Sequence, residues 1–256
     1  GGAVYSYRTT LNVNNCHFID NGGENGASLT CLRSTVNVAN STFISSSDKI
    51  IKGQIYLDNS PLTVDDSNFL NTTSKYAAAI FLTEDGNLII RNSKFKNLLA
   101  YKTAGAIGAK VICDIIVSNC EFDNVSSQNN GGAIFIDMSG YEGTLYGVYI
   151  NNTVFNNCYS GFGGAILQLD GYLVITNTNF TSNIAYFEGG AIYTSCAYVE
   201  ISNSNFNSNI LIHDISYGGA CYFDNGNIIL SKNSFKSNSW IKRRKCYNRR
   251  CFWCYP

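Results

Sequence analysis

The chain has 256 residues with 18 basic and 18 acidic side chains, and 45% of its residues are hydrophobic, enough for one sizeable core and too many for a disordered chain. Only 14% are charged, Asn, Ser, Thr and Gly are abundant, and Pro and Met are scarce, so strands joined by turns are expected rather than surface helices. No apolar run is long enough for a membrane-spanning helix; six of the basic groups crowd into residues 241–256, leaving 12 against 18 acidic ones in residues 1–240, a poor match to nucleic-acid phosphates.

The chain opens on Gly1-Gly2-Ala3-Val4-Tyr5, which is repeat wording and not that of a signal peptide, so a piece of a longer protein is expected. The first full unit leads to Phe18, and the same unit recurs at Phe43, Phe69, Phe95, Phe122, Phe155, Phe180, Phe206 and Phe235. Seven and five residues before each Phe stand aliphatic side chains, from Leu11 and Val13 in the first unit to Ile228 and Leu230 in the last. This period of two marks a short strand with one buried face. Three before the Phe stands Asn15, Asn40, Asn92, Asn119, Asn152, Asn177 or Asn203, with Asp66 and Lys232 in the remaining two units.

Each unit also holds a glycine-led segment, seen as GGAIF at Gly131, GGAIL at Gly163, GGAIY at Gly189 and GGACY at Gly218. Paired glycines suit a tight corner, and the residues that follow suit a strand. After the corner, an aliphatic column (Val4, Ile55, Ile80, Ile134, Ile166, Ile192) is followed by an aromatic one (Tyr5, Tyr56, Phe81, Phe135, Tyr193, Tyr222). Strand alternation puts the two columns on opposite faces, so one of them lies largely outside. With Ile inward, the Tyr/Phe column becomes a stripe able to stack on sugars or anchor a protein partner.

A unit of about 26 residues without helical period cannot bury its apolar face alone; stacking the units solves the problem. The expected fold is all-β, a right-handed parallel β-helix of about nine coils over residues 1–240. The Phe column then forms an internal ladder, and the Asn column bonds amide to amide between coils.

Two motifs, GGAI at 131–134, 163–166 and 189–192 and Phe-x-x-Asn at Phe18/Asn21, Phe180/Asn183, Phe206/Asn209 and Phe235/Asn238, resemble the repeats of the chlamydial polymorphic outer membrane proteins. The resemblance implies the pectate-lyase-like β-helix superfamily. It also implies a non-catalytic, surface-exposed or secreted rod that acts as adhesin or structural spacer at the cell surface or outside the cell. Carbohydrate or a cell-surface protein is the expected partner, and neither cofactor nor metal is expected.

Polysaccharide lyases and hydrolases share such folds, so a divergent carbohydrate-active β-helix is the alternative. It would draw on Asp65, Asp66, Asp137 or Asp170 meeting on one outer groove. The sequence has no Gly-His-Gly and no Arg-Ile-Lys, and outside the tail only Arg8, Arg33 and Arg91 could serve as an arginine base. His17 is expected to face solvent, and His213 has no evident catalytic partner. Two lengthened units, around 139–143 and 211–214, are expected to project as loops.

Of the ten cysteines, Cys16 and Cys120 share a slot four coils apart, which excludes their pairing. The body cysteines are expected as small buried hydrophobes. Five Asn-x-Ser/Thr sequons occur, at Asn40, Asn71, Asn124, Asn151 and Asn179. Residues 241–256 break the repeat and carry Cys246, Cys251 and Cys254, one ligand short of a zinc site; a basic tail or the start of a following Cys-containing module is expected there.

Overall fold

The computed structural model describes residues 1–46, 50–110, 113–140, 146–213 and 217–240. The basic tail with its three cysteines, most of the 139–143 insertion, and Asp214 lie outside the described residues. Among the described residues every regular element is a β-strand, and every strand pairing is parallel, coil on coil. The expected β-helix of about nine coils is thus the fold observed.

Each coil has three walls. A corner wall follows the glycine segment, as in Ile55–Asp58, Ile80–Thr83 and Ile134–Asp137. An aliphatic wall follows, as in Leu62–Asp65, Leu88–Arg91 and Ile115–Ser118. A phenylalanine wall closes the coil, as in Asn68–Ser74, Lys94–Ala100 and Glu121–Ser127. In the last two coils the corner and aliphatic walls fuse into single strands, Ile192–Ser202 and Cys221–Ser231.

One residue makes the bend between the aliphatic and phenylalanine walls, and it has a left-handed backbone in all nine coils. It is Asn15, Asn40, Asp66, Asn92, Asn119, Asn152, Asn177, Asn203 or Lys232, with φ between 43° and 54°. Asn and Asp tolerate this region better than other non-glycine residues, which is the physical reason for the column. The expected amide ladder forms along part of it, Asn119 donating to Asn92 at 3.1 Å and Asn152 to Asn119 at 2.8 Å, while Asn92 donates to the carboxylate of Asp65, one residue before the column, at 2.8 Å. Asn40 and Asn177 reach Asn14 and Asn151 instead, one residue earlier in the coil above.

The bend disturbs the ladder of backbone hydrogen bonds just before the Phe, and a column of small hydroxyls repairs it. The N–H of Ser41 donates to Ser67 Oγ, that of Ser67 to Ser93 Oγ, and that of Thr178 to Ser204 Oγ, each over 3.1 Å. Each hydroxyl in turn donates to the carbonyl two residues before it, as Ser67 does to Asp65 O at 2.8 Å. Cys120 fills the same slot, its thiol donating to Ser118 O at 3.2 Å.

Inside, Phe18 to Phe235 form one ladder of nine rings, with centroids 4.6 to 5.0 Å apart and planes within 7° of parallel. The spacing matches that of the strands, so the rings stack with no further adjustment of the backbone. The corner aliphatics Ile55, Ile80, Ile134, Ile166 and Ile192 are fully buried beside them.

Cys31, Cys113, Cys120 and Cys158 are buried free thiols, as expected, while Cys196 is exposed. Burial pushes the Cys31 and Cys113 thiols up to about 12 and Cys120 to about 11, which keeps them protonated and unreactive at neutral pH.

Candidate binding surface

With the Ile column buried, the Tyr/Phe column faces outward. It is not an even stripe. The register along the corner wall runs Tyr5, Thr30, Tyr56, Phe81, Gly108, Phe135, Leu167, Tyr193, Tyr222, so three non-aromatic residues interrupt it. Tyr5 is 60% exposed and Tyr56 only 7%, while Phe81, Phe135, Tyr193 and Tyr222 are half-buried.

A second column, which sequence reasoning missed, accounts for the partial cover. The residue just before the corner pairs between coils in the order Asn25, Lys52, Tyr76, and again Thr103, Asn130, Phe162, Glu188, Tyr217. Its side chains reach across the corner onto the aromatic column. Lys52 Nζ lies 4.8 Å from the Tyr56 ring centroid, and Tyr76 packs on Phe81 at 5.9 Å. The corner can be crossed because it carries no more than a methyl group, as at Ala77, and in most coils none: at Gly189, with φ 64°, a Cβ would lie 2.1 Å from Ile192 O.

The two columns combine most fully in the last three coils. Tyr193 and Tyr222 stack at 5.4 Å, Tyr217 lies 6.2 Å from Tyr222, and Phe162 meets Tyr193 edge-on at 5.8 Å. Phe162 also stacks on Phe187 at 4.9 Å, and Phe187 and Tyr186 pack against the His213 ring at 5.3 and 5.2 Å. Phe187 is 39% and Tyr217 60% exposed, so the cluster opens to solvent. Two carboxylates stand in it. Glu188 is in register with Phe162 and Tyr217, and Asp224 shares the outward face of its strand with Tyr222. Burial, then the neighbouring Asp224 charge, raises the Glu188 carboxyl; the Tyr193 and Tyr222 phenols are raised by burial first and then by Glu188.

The four aspartates of the catalytic alternative fall into two separate places, Asp65 with Asp66 on one wall and Asp137 with Asp170 on successive coils of another. Asp65 and Asp66 sit at the bend into the phenylalanine wall, where Asp65 accepts from Asn92. Asp137 and Asp170 sit where the corner wall ends, and Asp137 pairs with Lys110 at 3.8 Å and accepts from the Ser139 N–H at 3.0 Å. His17 is exposed on the phenylalanine wall. Among the described residues no three His, Cys, Asp or Glu side chains converge to hold a metal ion. No helix among them is long and apolar enough to cross a membrane. All five sequon asparagines are exposed.

These features define a parallel β-solenoid with an aromatic, acidic patch toward one end. Among curated proteins, the chain is similar to the metabotropic glutamate receptor-like protein R of Dictyostelium discoideum, 30% identical over 162 residues. The match takes in 57% of this chain and spans a tenth of that protein's length. No protein-family profile and no solved structure match the chain.

Proposed function

We propose that the chain is a non-catalytic β-solenoid displayed on or outside the cell, serving as adhesin or spacer and binding carbohydrate or a cell-surface protein through the outward column of the corner wall. The observation that carries this reading is the open ring cluster of Phe162, Phe187, Tyr193, Tyr217 and Tyr222, together with the separation of Asp65 and Asp66 from Asp137 and Asp170. A contiguous exposed patch of rings, unlike a ring exposed singly, marks a surface that meets a partner. The GGAI and Phe-x-x-Asn wording supports the assignment to surface repeat proteins like the polymorphic outer membrane proteins. The receptor-like name of the Dictyostelium relative is consistent with an extracellular place.

The test is a glycan-array and cell-binding screen of the full chain beside a variant with Tyr56, Tyr193 and Tyr222 changed to Ala. Specific binding that the variant loses is the expected result. Robust lyase or hydrolase activity on an acidic polysaccharide, lost on changing Asp137 or Asp170 to Asn, would overturn the reading in favour of the carbohydrate-active alternative.

A further inference from the structure

From Lys110 to Lys232 the chain contains ten carboxylates and no intervening lysine or arginine. The stretch between these two lysines, which carries Phe162, Glu188, Tyr193, Tyr217, Tyr222 and Asp224, therefore has acidic charges alone. Positions 1–110 are close to balance, with ten basic against eight acidic residues. None of the three ion pairs among the described residues involves Glu188 or Asp224; those pairs join Lys96 to Glu121 and Asp123, and Lys110 to Asp137.

We infer that the cluster formed by Phe162, Tyr193, Tyr217 and Tyr222 around Glu188 and Asp224 is a binding site for a free organic ammonium ion. The inference rests on the corner wall being a binding surface and specifies the class of ligand that its acidic end takes. A cation gains from a ring face within about 6 Å of its centroid, and the stacked rings of Tyr193, Tyr222 and Tyr217, with centroids 5.4 and 6.2 Å apart, stand close enough to Glu188 and Asp224 for both charges to act on the Tyr193 and Tyr222 phenols. It also gains from carboxylates that, among the described residues, pair with no lysine or arginine. The raised Glu188 carboxyl is the cost of holding that charge half-buried next to Asp224, and a bound cation removes that cost.

Other ligand chemistries fit less well. An anionic ligand meets two like charges. A neutral sugar can stack on the rings but leaves both carboxylates uncompensated. A methylated or alkyl ammonium satisfies rings and carboxylates together, because its charge is spread over an apolar shell that sheds water readily. At the other end of the same wall the protein supplies a cation of its own, Lys52 over Tyr56, and that ring is already covered.

The test is calorimetric titration of the full chain with choline and with its neutral carbon isostere, 3,3-dimethylbutan-1-ol, at constant ionic strength. Saturable binding of choline is expected, weakened about tenfold by Glu188→Gln and by Tyr222→Leu and unchanged by Glu24→Gln on the second coil. Thermal melts of each variant confirm that it is folded. Equal binding of the isostere, an unaltered affinity in Glu188→Gln, or no saturation in the millimolar range overturns the inference. Glycan binding that depends on Tyr193 without any choline binding would overturn it while leaving the display-surface reading standing. A polysaccharide-degrading activity would do the reverse.

Discussion

Asn183 donates its Nδ2–H to Oδ1 of Asn209 over 2.9 Å, and both side chains are fully buried inside the solenoid. Asn209 repeats the contact to Asn238 at 2.8 Å, and each amide also donates to a carbonyl one coil back, Asn183 to Phe155 O and Asn209 to Phe180 O. The ladder answers a local backbone need. Ser182 and Ser208 have left-handed φ of 54° and 56°, and the N–H groups of the next residues find side-chain acceptors instead of backbone ones. Thus the asparagine of Phe-x-x-Asn is an internal structural group.

Removing Asn209 strands the buried Asn183. Asn209→Ala leaves the Asn183 N–H without its acceptor and the Asn183 amide with Phe155 O alone, and it frees Phe180 O, while the half-buried Asn238 oxygen keeps the backbone N–H of residue 209. The expected loss is about 3 kcal/mol, since each stranded buried group costs about 1–3 kcal/mol. Urea unfolding measures it, with Asn37→Ser on the exposed aliphatic wall as the comparison, expected to stay within about 0.5 kcal/mol. Equal losses in the two variants would show that the internal ladder adds nothing.

The phenylalanine ladder is expected to dominate cooperativity. Phe122 is fully buried between Phe95 at 4.6 Å and Phe155 at 4.8 Å. Phe122→Ala removes a ring that two others stack on, and about 3–5 kcal/mol is expected to go with it. Ile19→Ala, on the same wall but 61% exposed, is expected to be near neutral. The comparison is read as the shift in denaturation midpoint, and a small Phe122 effect would mean that the coils unfold independently.

The fold was legible because burial in a solenoid is strictly periodic: Leu88 and Ile90 must face inward wherever Leu62 and Val64 do, or the stack fails. The Asn column was legible as a column, although its left-handed backbone is what selects Asn and Asp. The small-hydroxyl slot two before each Phe was in plain view as Cys16, Ser41, Ser67, Ser93, Cys120, Thr153, Thr178 and Ser204, and only the bend geometry explains it. The half of the candidate surface before the corner was not legible. Its slot passes through Asn25, Lys52, Tyr76, Asn130, Phe162, Glu188 and Tyr217 without any repeat, because a side chain lying outside the core is free to vary.

One internal column breaks the apolar rule. It runs Leu57, Leu82, Ala109, Ile136, Gln168, Thr194, and among the described residues neither Gln168 Oε1 nor Thr194 Oγ1 finds a hydrogen-bond partner. Gln168 does use its amide N–H groups, donating to Asp170 O and Tyr172 O at 2.9 Å each. Thr194→Val replaces a buried hydroxyl with a methyl of nearly the same shape and is expected to stabilise the chain by about 1 kcal/mol. Gln168→Leu, which also strands two carbonyls, is expected to gain less or to lose. Thermal melts of the two variants give the comparison, and destabilisation by Thr194→Val would place a partner on that hydroxyl.

The acid end of the corner wall gives the chain a signed pH dependence. Glu188 faces Asp224 on the neighbouring coil, Phe162 and Tyr217 along its own column, and Tyr193 and Tyr222 across the corner. Its carboxyl is raised in the folded chain, by burial first and by Asp224 second, so the folded state holds that proton more tightly than the unfolded state does. Stability from this group therefore increases as pH falls through the raised folded value, and the penalty is fully present above it. Glu188→Gln removes the ionisation, so the variant should melt above the parent at pH 7.5, with the difference shrinking toward zero as the buffer approaches pH 4. A cation on the site should act in the same direction as the substitution at neutral pH, raising the Tm of the parent but not of the variant. A variant that melts below the parent at pH 7.5 would show that the Glu188 charge is compensated within the folded chain.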